Sequence, residues 1–491
     1  TNLDVVDIDG AVDMASTLNV SGAITGTLGT AAQPNITSLG TLTTLTVDDI
    51  TINGSTISDG GSLTIDVGTD LTLDADSGNI FLKDGGTHFG TLQNNSSDLR
   101  IVSIVQDKDL ILRGNDGGSF INALTLDMSA AGAATFNSTI NGVGINVIET
   151  GSILISNDGG TGTISSAVRN TGFGFEVFDD LTTGDDNTSM GRKALTKLTT
   201  GGGNTAVGSG SLTAHTTGDS NTAFGVSSLA ANTTASNNTA VGTSALAANT
   251  TGTNNSALGS TAADALTTGS YNVALGFAAL GSDTQGSLSV AIGPSALLNQ
   301  NFTSATDAYN VAVGTNAGLS VTTGTSNTLI GGLSGDAITT GAGNTAVGLG
   351  SLSATTTANF NTALGYQALL ANTTGASNVA VGKGALDANT TADNNTAVGD
   401  SALSANTTGA ANTAVGRASL INNTTGTELT AVGFYSLLGN TTGNSSTAVG
   451  YSALQANTTG QYNAAVGKGA LAANTTADNN TAVGHGGLAA N

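Results

Sequence analysis

The chain has 491 residues, of which 70 are Gly, only 2 are Pro and none is Cys or Trp. Charged residues make up 9% of it, and the formal net charge is −23. This is the composition of a fibrous chain rich in Gly, Thr, Asn and Ala, so we expect no enzyme, no disulfide framework and no thiolate metal site. The acidic charge argues against nucleic acid as a partner, and no run of about 20 apolar residues predicts membrane insertion.

Residues 1–60 alternate apolar residues with Thr, Asp or Asn, as in Leu42-Thr-Thr-Leu-Thr-Val47. A period of two indicates β-strands. Closely spaced glycines, such as Gly22 and Gly26, keep these strands short. We therefore predict a slender β shaft over this segment.

Residues 61–145 contain longer apolar segments, which predict a small β domain of sandwich-like or interlocked trimeric type with a modest core. Between two of these segments, Asn115-Asp-Gly-Gly118 is a strong signal for a hairpin turn. Residues 146–169 are predicted to form a neck that changes the strand arrangement. The predicted strands lie at 63–67, 71–73, 80–82, 99–105, 110–112 and 121–128.

Residues 170–491 repeat a 17-residue phrase in nineteen copies, the first beginning at Asn170 and the last ending unfinished at Asn491. The interval is constant, except that the copy beginning at Ser289 carries four extra residues. Self-similarity at a short fixed period predicts a β-roll or β-solenoid, in which each coil is buried against its neighbours. With coils ~4.8 Å apart, this array would make a rod on the order of 90 Å long.

Comparison of the copies with one another assigns a role to each position, counted 1–17 from the start of a copy. Position 5 is Gly in every copy, so we predict a turn that needs positive φ or a close backbone approach at Gly208, Gly382 and Gly399. Position 13–14 is commonly Thr-Thr and predicts a second corner. Position 4 is large and apolar and position 9 is usually Leu, and we predict that both fill the interior. In three of the copies these residues are Val207, Leu212, Val381, Leu386, Val398 and Leu403.

The size of the coil bears on assembly. A turn this short encloses few large side chains, and disulfides are impossible without Cys. Position 3 is nearly always Ala and position 8 is usually Ala or Ser, which predicts flat faces suited to packing between chains. We therefore expect an elongated, all-β, parallel homotrimeric fibre, with a single-chain solenoid as the alternative.

The phrase Asn-x-Ala-Val-Gly followed by Ala-Leu resembles the head repeats of trimeric autotransporter adhesins and similar repeats of bacteriophage tail fibres over residues 170–491. The segments 107–119 and 31–42 resemble predicted tail-fibre proteins of uncultured marine bacteriophages. The resemblance implies a virion tail fibre that mediates host attachment, with other copies of itself, other virion tail proteins and a host surface glycan or receptor as partners. A bacterial trimeric surface adhesin or an extracellular filament protein is the alternative. A glycan-cleaving spike would need paired carboxylates, which the array does not offer in register.

Aromatic residues at variable positions of the array are the candidates for receptor contact, because their rings offer stacking faces on a polar rod. The segment 299–309 holds the four extra residues and is predicted to bulge from the roll. The alternative is that these rings cover coil edges or seams between chains. The candidates are Phe302, Tyr309, Tyr366, Phe434, Tyr435, Tyr451 and Tyr462.

No catalytic, cofactor-binding or metal-binding residues are predicted. The three histidines, His88, His215 and His485, stand far apart in sequence and are predicted to decorate the surface. The densest acidic cluster favours a solvated face, and a Ca²⁺ site is the alternative. That cluster comprises Glu176, Asp179, Asp180, Asp185 and Asp186.

Overall fold

The computed structural model describes residues 57, 61–129, 133–136, 144–146, 153–156 and 166–489. The predicted shaft and most of the predicted neck lie outside these residues. The described part is all β and contains no helix. The chain divides into two units, residues 1–78 and residues 79–491.

Antiparallel strands precede the array. β1, β2 and β3 form one three-stranded sheet, and β4, β5 and β6 form another. The turn predicted at Asn115–Gly118 joins β4 to β5, and the side-chain Oδ1 of Asn115 accepts a hydrogen bond from the Gly118 N–H at 2.9 Å. The bounds of the strands are β1 Asn79–Asp84, β2 Thr87–Asn95, β3 Asp98–Ser103, β4 Leu110–Asp116, β5 Ser119–Asp127, β6 Ala133–Phe136, β7 Gly144–Asn146 and β8 Ile153–Ser156.

Two predictions for residues 61–145 need correction. Segments 63–67 and 71–73 form no strand, and their apolar side chains are exposed. Among the described residues of one chain, these strands also form no apolar core, since Leu99 is 78% exposed and Phe120 is 68% exposed. These strands have the apolar patterning of a packed sheet, but the described residues supply no second layer to cover it.

The repeat array folds as a parallel β-solenoid of about 18 turns, in which each copy contributes one three-residue strand at positions 2–4. The copy with four extra residues, which we call the long coil (residues 289–309), forms a further short strand, β18, that pairs with β16 of the preceding coil. The bounds are β9 Thr171–Phe173, β10 Thr188–Met190, β11 Thr205–Val207, β12 Thr222–Phe224, β13 Thr239–Val241, β14 Ser256–Leu258, β15 Val273–Leu275, β16 Gly286–Ser287, β17 Val290–Ile292, β18 Thr306–Asp307, β19 Val311–Val313, β20 Thr328–Ile330, β21 Thr345–Val347, β22 Thr362–Leu364, β23 Val379–Val381, β24 Thr396–Val398, β25 Thr413–Val415, β26 Thr430–Val432, β27 Thr447–Val449, β28 Ala464–Val466 and β29 Thr481–Val483.

The coils stack with equivalent residues in register. β7 runs antiparallel to β8, β8 pairs in parallel with β9, and each coil strand then pairs in parallel with that of the next coil through to β29. The corners are bonded in the same way, since the Leu386 N–H donates to the Ala402 carbonyl at 3.0 Å. Backbone hydrogen bonds therefore join neighbouring coils at their corners as well as along their strands.

One chain closes the interior of the solenoid by itself. In the coil that starts at Asn378, the side chains of Ala380, Ala385 and Leu386 are fully buried. Position 9 is tightly packed although Leu386 has a φ of +55°, a conformation that costs a non-glycine residue about 1–2 kcal/mol. The contacts of the buried side chain offset that cost.

The structure corrects the predicted interior at position 4. Leu212, Leu386 and Leu403 are fully buried, whereas Val207, Val381 and Val398 lie on the outside of the coil and are only half-buried. In a strand of three residues, only the middle side chain points inward, and here that residue is Ala at position 3. The small residues at positions 3 and 8 therefore point inward and form no outer face. The prediction that these residues pack between the chains of a homotrimer is wrong.

Buried asparagines form two ladders through the coil interior. At position 1, Asn378 donates from Nδ2 to the Ala392 carbonyl at 2.8 Å and accepts the Asn395 N–H on Oδ1 at 3.0 Å. At position 12, Asn389 donates from Nδ2 to the Asn372 Oδ1 at 2.8 Å and to the same Ala392 carbonyl at 3.1 Å. Both ladders satisfy backbone groups that the coil buries, which is a requirement for any closed interior.

Candidate functional site

Exposed aromatic side chains of the solenoid fall mainly into two rows, which we call the position-6 row and the position-17 row. Position 6 directly follows the Gly corner, and position 17 is the last residue of a coil. Because the coils stack in register, side chains that share a position are aligned along the solenoid. The candidate contact residues in the position-6 row are Tyr366, Phe434 and Tyr451, and those in the position-17 row are Tyr462 and, at the end of the long coil, Tyr309.

The position-17 row consists of single rings, each separated from the next by more than one coil. Tyr309 is 56% exposed, and Tyr271, Phe360 and Tyr462 are exposed to a similar degree. The backbone at Tyr309 has a φ of +50° and the other three lie close to +60°. These rings present their faces to solvent one at a time, so no pair of them forms a continuous surface.

The long coil corrects one predicted contact residue. Phe302 is only 5% exposed and lies against Gly286, where an added Cβ would approach its Cδ2 to 2.9 Å. Phe302 is therefore part of the packing of this coil, and the run of exposed residues that follows it is 303–305. The sequence identified the insertion correctly but not the direction of its aromatic side chain.

A buried polar network holds the long coil in place. Asp283 accepts hydrogen bonds from the Gly286 N–H at 3.0 Å, from Gln300 Nε2 at 2.7 Å and from the Phe302 N–H at 3.2 Å. Gln300 Oε1 accepts from Asn310 Nδ2 at 2.9 Å, a role that the position-1 Asn plays in several other coils. Ser289 occupies position 1 here, and the longer Gln300 side chain supplies the missing acceptor.

The position-6 row contains a continuous stack of alternating chemistry near the end of the described residues. The rings of Phe434 and Tyr451 lie 5.6 Å apart between centroids at an interplanar angle of 19°. The Arg417 guanidinium carbon lies 5.5 Å from the Phe434 centroid, and Lys468 Nζ lies 5.7 Å from the Tyr451 centroid. Tyr435 adds a third ring, 3.8 Å from Phe434. Four consecutive coils thus place a cation, two stacked rings and a second cation in line.

The histidines do not converge, and one of them is placed differently from the prediction. His215 occupies position 12 and is fully buried, and its Nε2–H donates to the Gly218 carbonyl oxygen at 2.8 Å. Burial lowers the pKa of His215 below its ordinary value, because the interior disfavours the charged ring. Its Nδ1 has no hydrogen-bond partner. His485, by contrast, is exposed in the position-6 row.

The acidic cluster near the first coils is tied up in contacts with the protein itself. Glu176 pairs with Lys193 at 3.0 Å, and Asp186 pairs with Arg169 at 2.6 Å, which holds the pKa of the Asp186 carboxyl below its ordinary range. Asp185 accepts the Val168 N–H at 2.8 Å. Across the described segments of the chain, no group of three His, Asp or Glu side chains has the arrangement of a metal site.

Comparison with family models, with curated proteins and with solved structures finds no match to this chain. None of the segments that the structure describes forms a long apolar helix of the kind that spans a bilayer. The position-6 stack is therefore characterised by its own geometry alone.

Sequence reasoning missed both the alignment of the stack and the buried asparagines. Arg417 and Lys468 drew no attention as single surface residues, yet both fall at position 6 when the copies are superposed. Position 1 is Asn in all but three copies, where Ser289, Leu429 and Ser446 replace it. Counting each residue type by repeat position would have found both features.

Proposed function

We propose that this chain is a structural fibre protein of a bacteriophage virion that attaches the particle to the surface of its host. The observation that carries the proposal is the separation of roles within each coil. Inward positions 1, 3 and 9 are mostly Asn, Ala and Leu, while position 6 varies from Lys383 and Asp400 to Phe434 and Tyr451. A scaffold that keeps most of its inward positions constant and presents varied side chains along its length suits recognition of an extended surface.

The solenoid also suits a mechanical role. Its turns are joined by parallel strand pairs and by backbone hydrogen bonds at the corners, so that each coil is supported by both neighbours. Over about 18 turns, this stacking gives an extended spacer with a length of about 85 Å. Such a spacer would hold a binding surface away from the particle, with other virion tail proteins and further copies of the chain as its partners.

We further propose that the fibre is a parallel homotrimer, on grounds different from those the sequence suggested. Phe81, Leu99, Ile101 and Phe120 in the antiparallel sheets leave large apolar surfaces uncovered in one chain. Position 4 of the solenoid adds an outward apolar row in every copy. Exposed apolar surface of this extent is typical of protein interfaces, and sister chains are the occupants that the fibre would supply.

Immunogold electron microscopy would test the virion role. Antibodies raised against the purified chain are expected to label the tail fibres of phage particles in lysates of the source population. Label on bacterial envelopes or on free extracellular filaments, with none on particles, would favour the alternative of an adhesin or filament protein. Sedimentation equilibrium would test the assembly separately, since a mass of one chain at all concentrations would overturn the homotrimer.

A further inference from the structure

The basic residues of the solenoid beyond its first coils are confined to one row. From residue 198 to residue 491 the sequence contains only three Lys or Arg residues: Lys383, Arg417 and Lys468. All three occupy position 6, and all three are exposed. They fall within six consecutive coils, in a chain whose net charge is −23. The same six coils also contain five acidic residues, so the positive charge is local to these side chains of the position-6 row.

Aromatic rings fill the coils between two of these cations. Phe434 and Tyr451 stack on one another, with Arg417 over the outer face of one ring and Lys468 near the other. One side chain per coil gives a spacing of ~4.8 Å, so the column from Arg417 to Lys468 is about 14 Å long. Arg417 is also 3.5 Å from the exposed Asp400, which fixes the guanidinium at the end of the column.

The contacts within the column are too weak to explain it as a staple of the fold. Exposed cation–π contacts contribute about 0.5–1 kcal/mol, whereas the backbone ladder already joins the same coils. Arg417 and Lys468 each lie over a ring and are exposed to solvent, and Arg417 remains 62% exposed with Asp400 beside its Nε. Tyr451 is 51% exposed, so its edge and hydroxyl are open to a ligand.

We propose that this column binds an acidic polysaccharide, a chain of sugar rings that carry carboxylate or sulfate groups. The stacked rings leave their edges and the Tyr451 hydroxyl open, and these contact the C–H and hydroxyl groups of sugar rings. Carboxylate or sulfate groups on the sugars pair with Arg and Lys in charge-assisted hydrogen bonds. The polymer lies along the solenoid, because the column runs in the stacking direction of the coils. A neutral glycan offers Arg417 and Lys468 only hydroxyl acceptors, which give weaker hydrogen bonds than carboxylate or sulfate oxygens.

This inference deepens the proposed attachment function and depends on it for its biological meaning. The acidic surface of the remaining solenoid has a specific consequence, since it repels an anionic polymer from positions away from the column. The column therefore determines where on the solenoid the polymer binds as well as how tightly it binds. An acidic layer on the target cell is the class of ligand that such a column selects.

The test measures binding of the full chain to four soluble polymers by affinity electrophoresis. These are alginate, which carries carboxylates, dextran sulfate, which carries sulfates, neutral dextran, and polyglutamate, which carries charge without sugar rings. We expect retardation by alginate, by dextran sulfate or by both, and the stronger of the two identifies the acidic group. Neutral dextran and polyglutamate are expected to have little effect.

Variants at position 6 separate the column from the rest of the surface. Phe434→Ser with Tyr451→Ser, and Arg417→Ser with Lys468→Ser, are each expected to weaken binding roughly tenfold. Ser is a native residue of this position, as Ser209 and Ser260 show, so folding is preserved. The matched control is Phe277→Ser, which removes an exposed ring of the same row far from the column and is expected to leave affinity unchanged.

Three results would overturn the proposal: no binding to either acidic polysaccharide, unchanged binding after loss of the rings, or equal binding to polyglutamate. If the immunogold label lies on particle fibres but the chain binds neither polymer, polysaccharide binding by the column is refuted while the virion fibre role is supported. If polymer binding depends on the column but the label lies only on bacterial envelopes, the virion role is refuted while polysaccharide binding by the column is supported.

Discussion

The antiparallel sheets of residues 79–127 and the solenoid of residues 166–489 bury their apolar side chains in opposite ways. The sheets have strands of six to nine residues, yet Leu99 and Phe120 remain exposed. The solenoid strands have only three residues, yet Leu386 is fully buried. A coil returns the chain over its own strand at two corners, whereas an open sheet needs a second layer, and the described residues do not form one. Strand length therefore says little about whether a core exists.

The difference also explains where association matters. The solenoid completes its interior with contacts between equivalent residues of adjacent copies, which are close in sequence and form within one chain. The sheets leave a face open, so their stability depends on what covers it. We expect amide protection of β1–β5 in hydrogen exchange to fall on dilution of the protein, and protection of β9–β29 to stay constant. The same change of amide protection on dilution in both regions would contradict the inferred difference between the sheets and the solenoid.

The largest effect is expected from Gly399→Ala. An added Cβ would lie 2.5 Å from the Gly416 carbonyl oxygen, and φ is +138°, which side chains rarely tolerate. We expect local destabilisation of more than about 4 kcal/mol, seen as lost amide protection in the neighbouring coils. Gly384→Ala is the local control, because its Cβ meets nothing closer than 3.7 Å and Ala418 occupies the equivalent position. In the sheets, Gly114→Ala has open space around it and is expected to change little.

A second large effect is expected from Leu386→Ala. The side chain is fully buried among neighbouring coils, so its truncation leaves a cavity and costs about 2–4 kcal/mol. Val381→Ala, on the outside of the same coil, is expected to cost less than about 1 kcal/mol in the isolated chain. Leu112→Ala in β4 removes an exposed side chain and is expected to cost little in the isolated chain. Urea denaturation monitored by hydrogen exchange measures the free energy of unfolding of all three variants. A larger loss for Val381→Ala than for Leu386→Ala would show that position 4, and not position 9, lies in the interior.

An intermediate effect is expected from Gln300→Ala in the long coil. The change removes the donor to the buried Asp283 carboxylate and the acceptor for Asn310 Nδ2. The buried Asp283 Oδ2 loses the hydrogen bond from Gln300, and Asn310 Nδ2 keeps only the Gly324 carbonyl, which costs about 1–3 kcal/mol. Gln367→Ala is the control, since Ala occupies the same position 7 in other coils, as at Ala418. Thermal unfolding would show a loss confined to Gln300→Ala, and equal losses in both variants would contradict the network.

The smallest effect depends on pH and concerns His215→Asn. The pKa of His215 is lowered by burial, so the unfolded chain takes up a proton before the folded chain does as pH falls below 6.5. The free energy of unfolding of the native protein therefore decreases below that pH, until the folded pKa is also passed. Asn stands at position 12 in the next coil, at Asn232, and it does not titrate. Melting temperatures at neutral and acidic pH are expected to diverge between variant and native protein only under acid.

Much of the solenoid follows from the sequence, because stacked copies repeat each constraint. The period, the glycine corner at Gly399 and the buried Leu386 all follow from comparing copies. The outward direction of Val398 does not, because positions 3 and 4 are both apolar and the smaller one, Ala397, is inside. The packing of the sheets follows even less from the sequence, since alternation of apolar residues indicates a strand without indicating what covers it.

The candidate site was foreseen only in part, for related reasons. Tyr309, Tyr366, Tyr451 and Tyr462 are exposed, in keeping with their selection as contact residues, while Phe302 turned inward because its coil is longer and has space beside a glycine. The buried place of His215 had a signal in the copies, since position 12 is Leu198 in the preceding coil. Stacking partners one repeat apart become visible only when the sequence is written one copy to a line.

The in-register ladder has a consequence for inheritance. Backbone bonds between coils join the same pair of positions at each step, as from Leu386 to Ala402 and from Leu403 to Ser419, so removing or adding a whole copy rejoins matching atoms. Recombination between near-identical stretches of the gene can therefore shorten or lengthen the rod without a faulty seam. Relatives of this protein are therefore expected to differ in the number of coils more readily than in the fold of each coil. The long coil that begins at Ser289 provides a fixed reference from which copies gained or lost on either side can be counted.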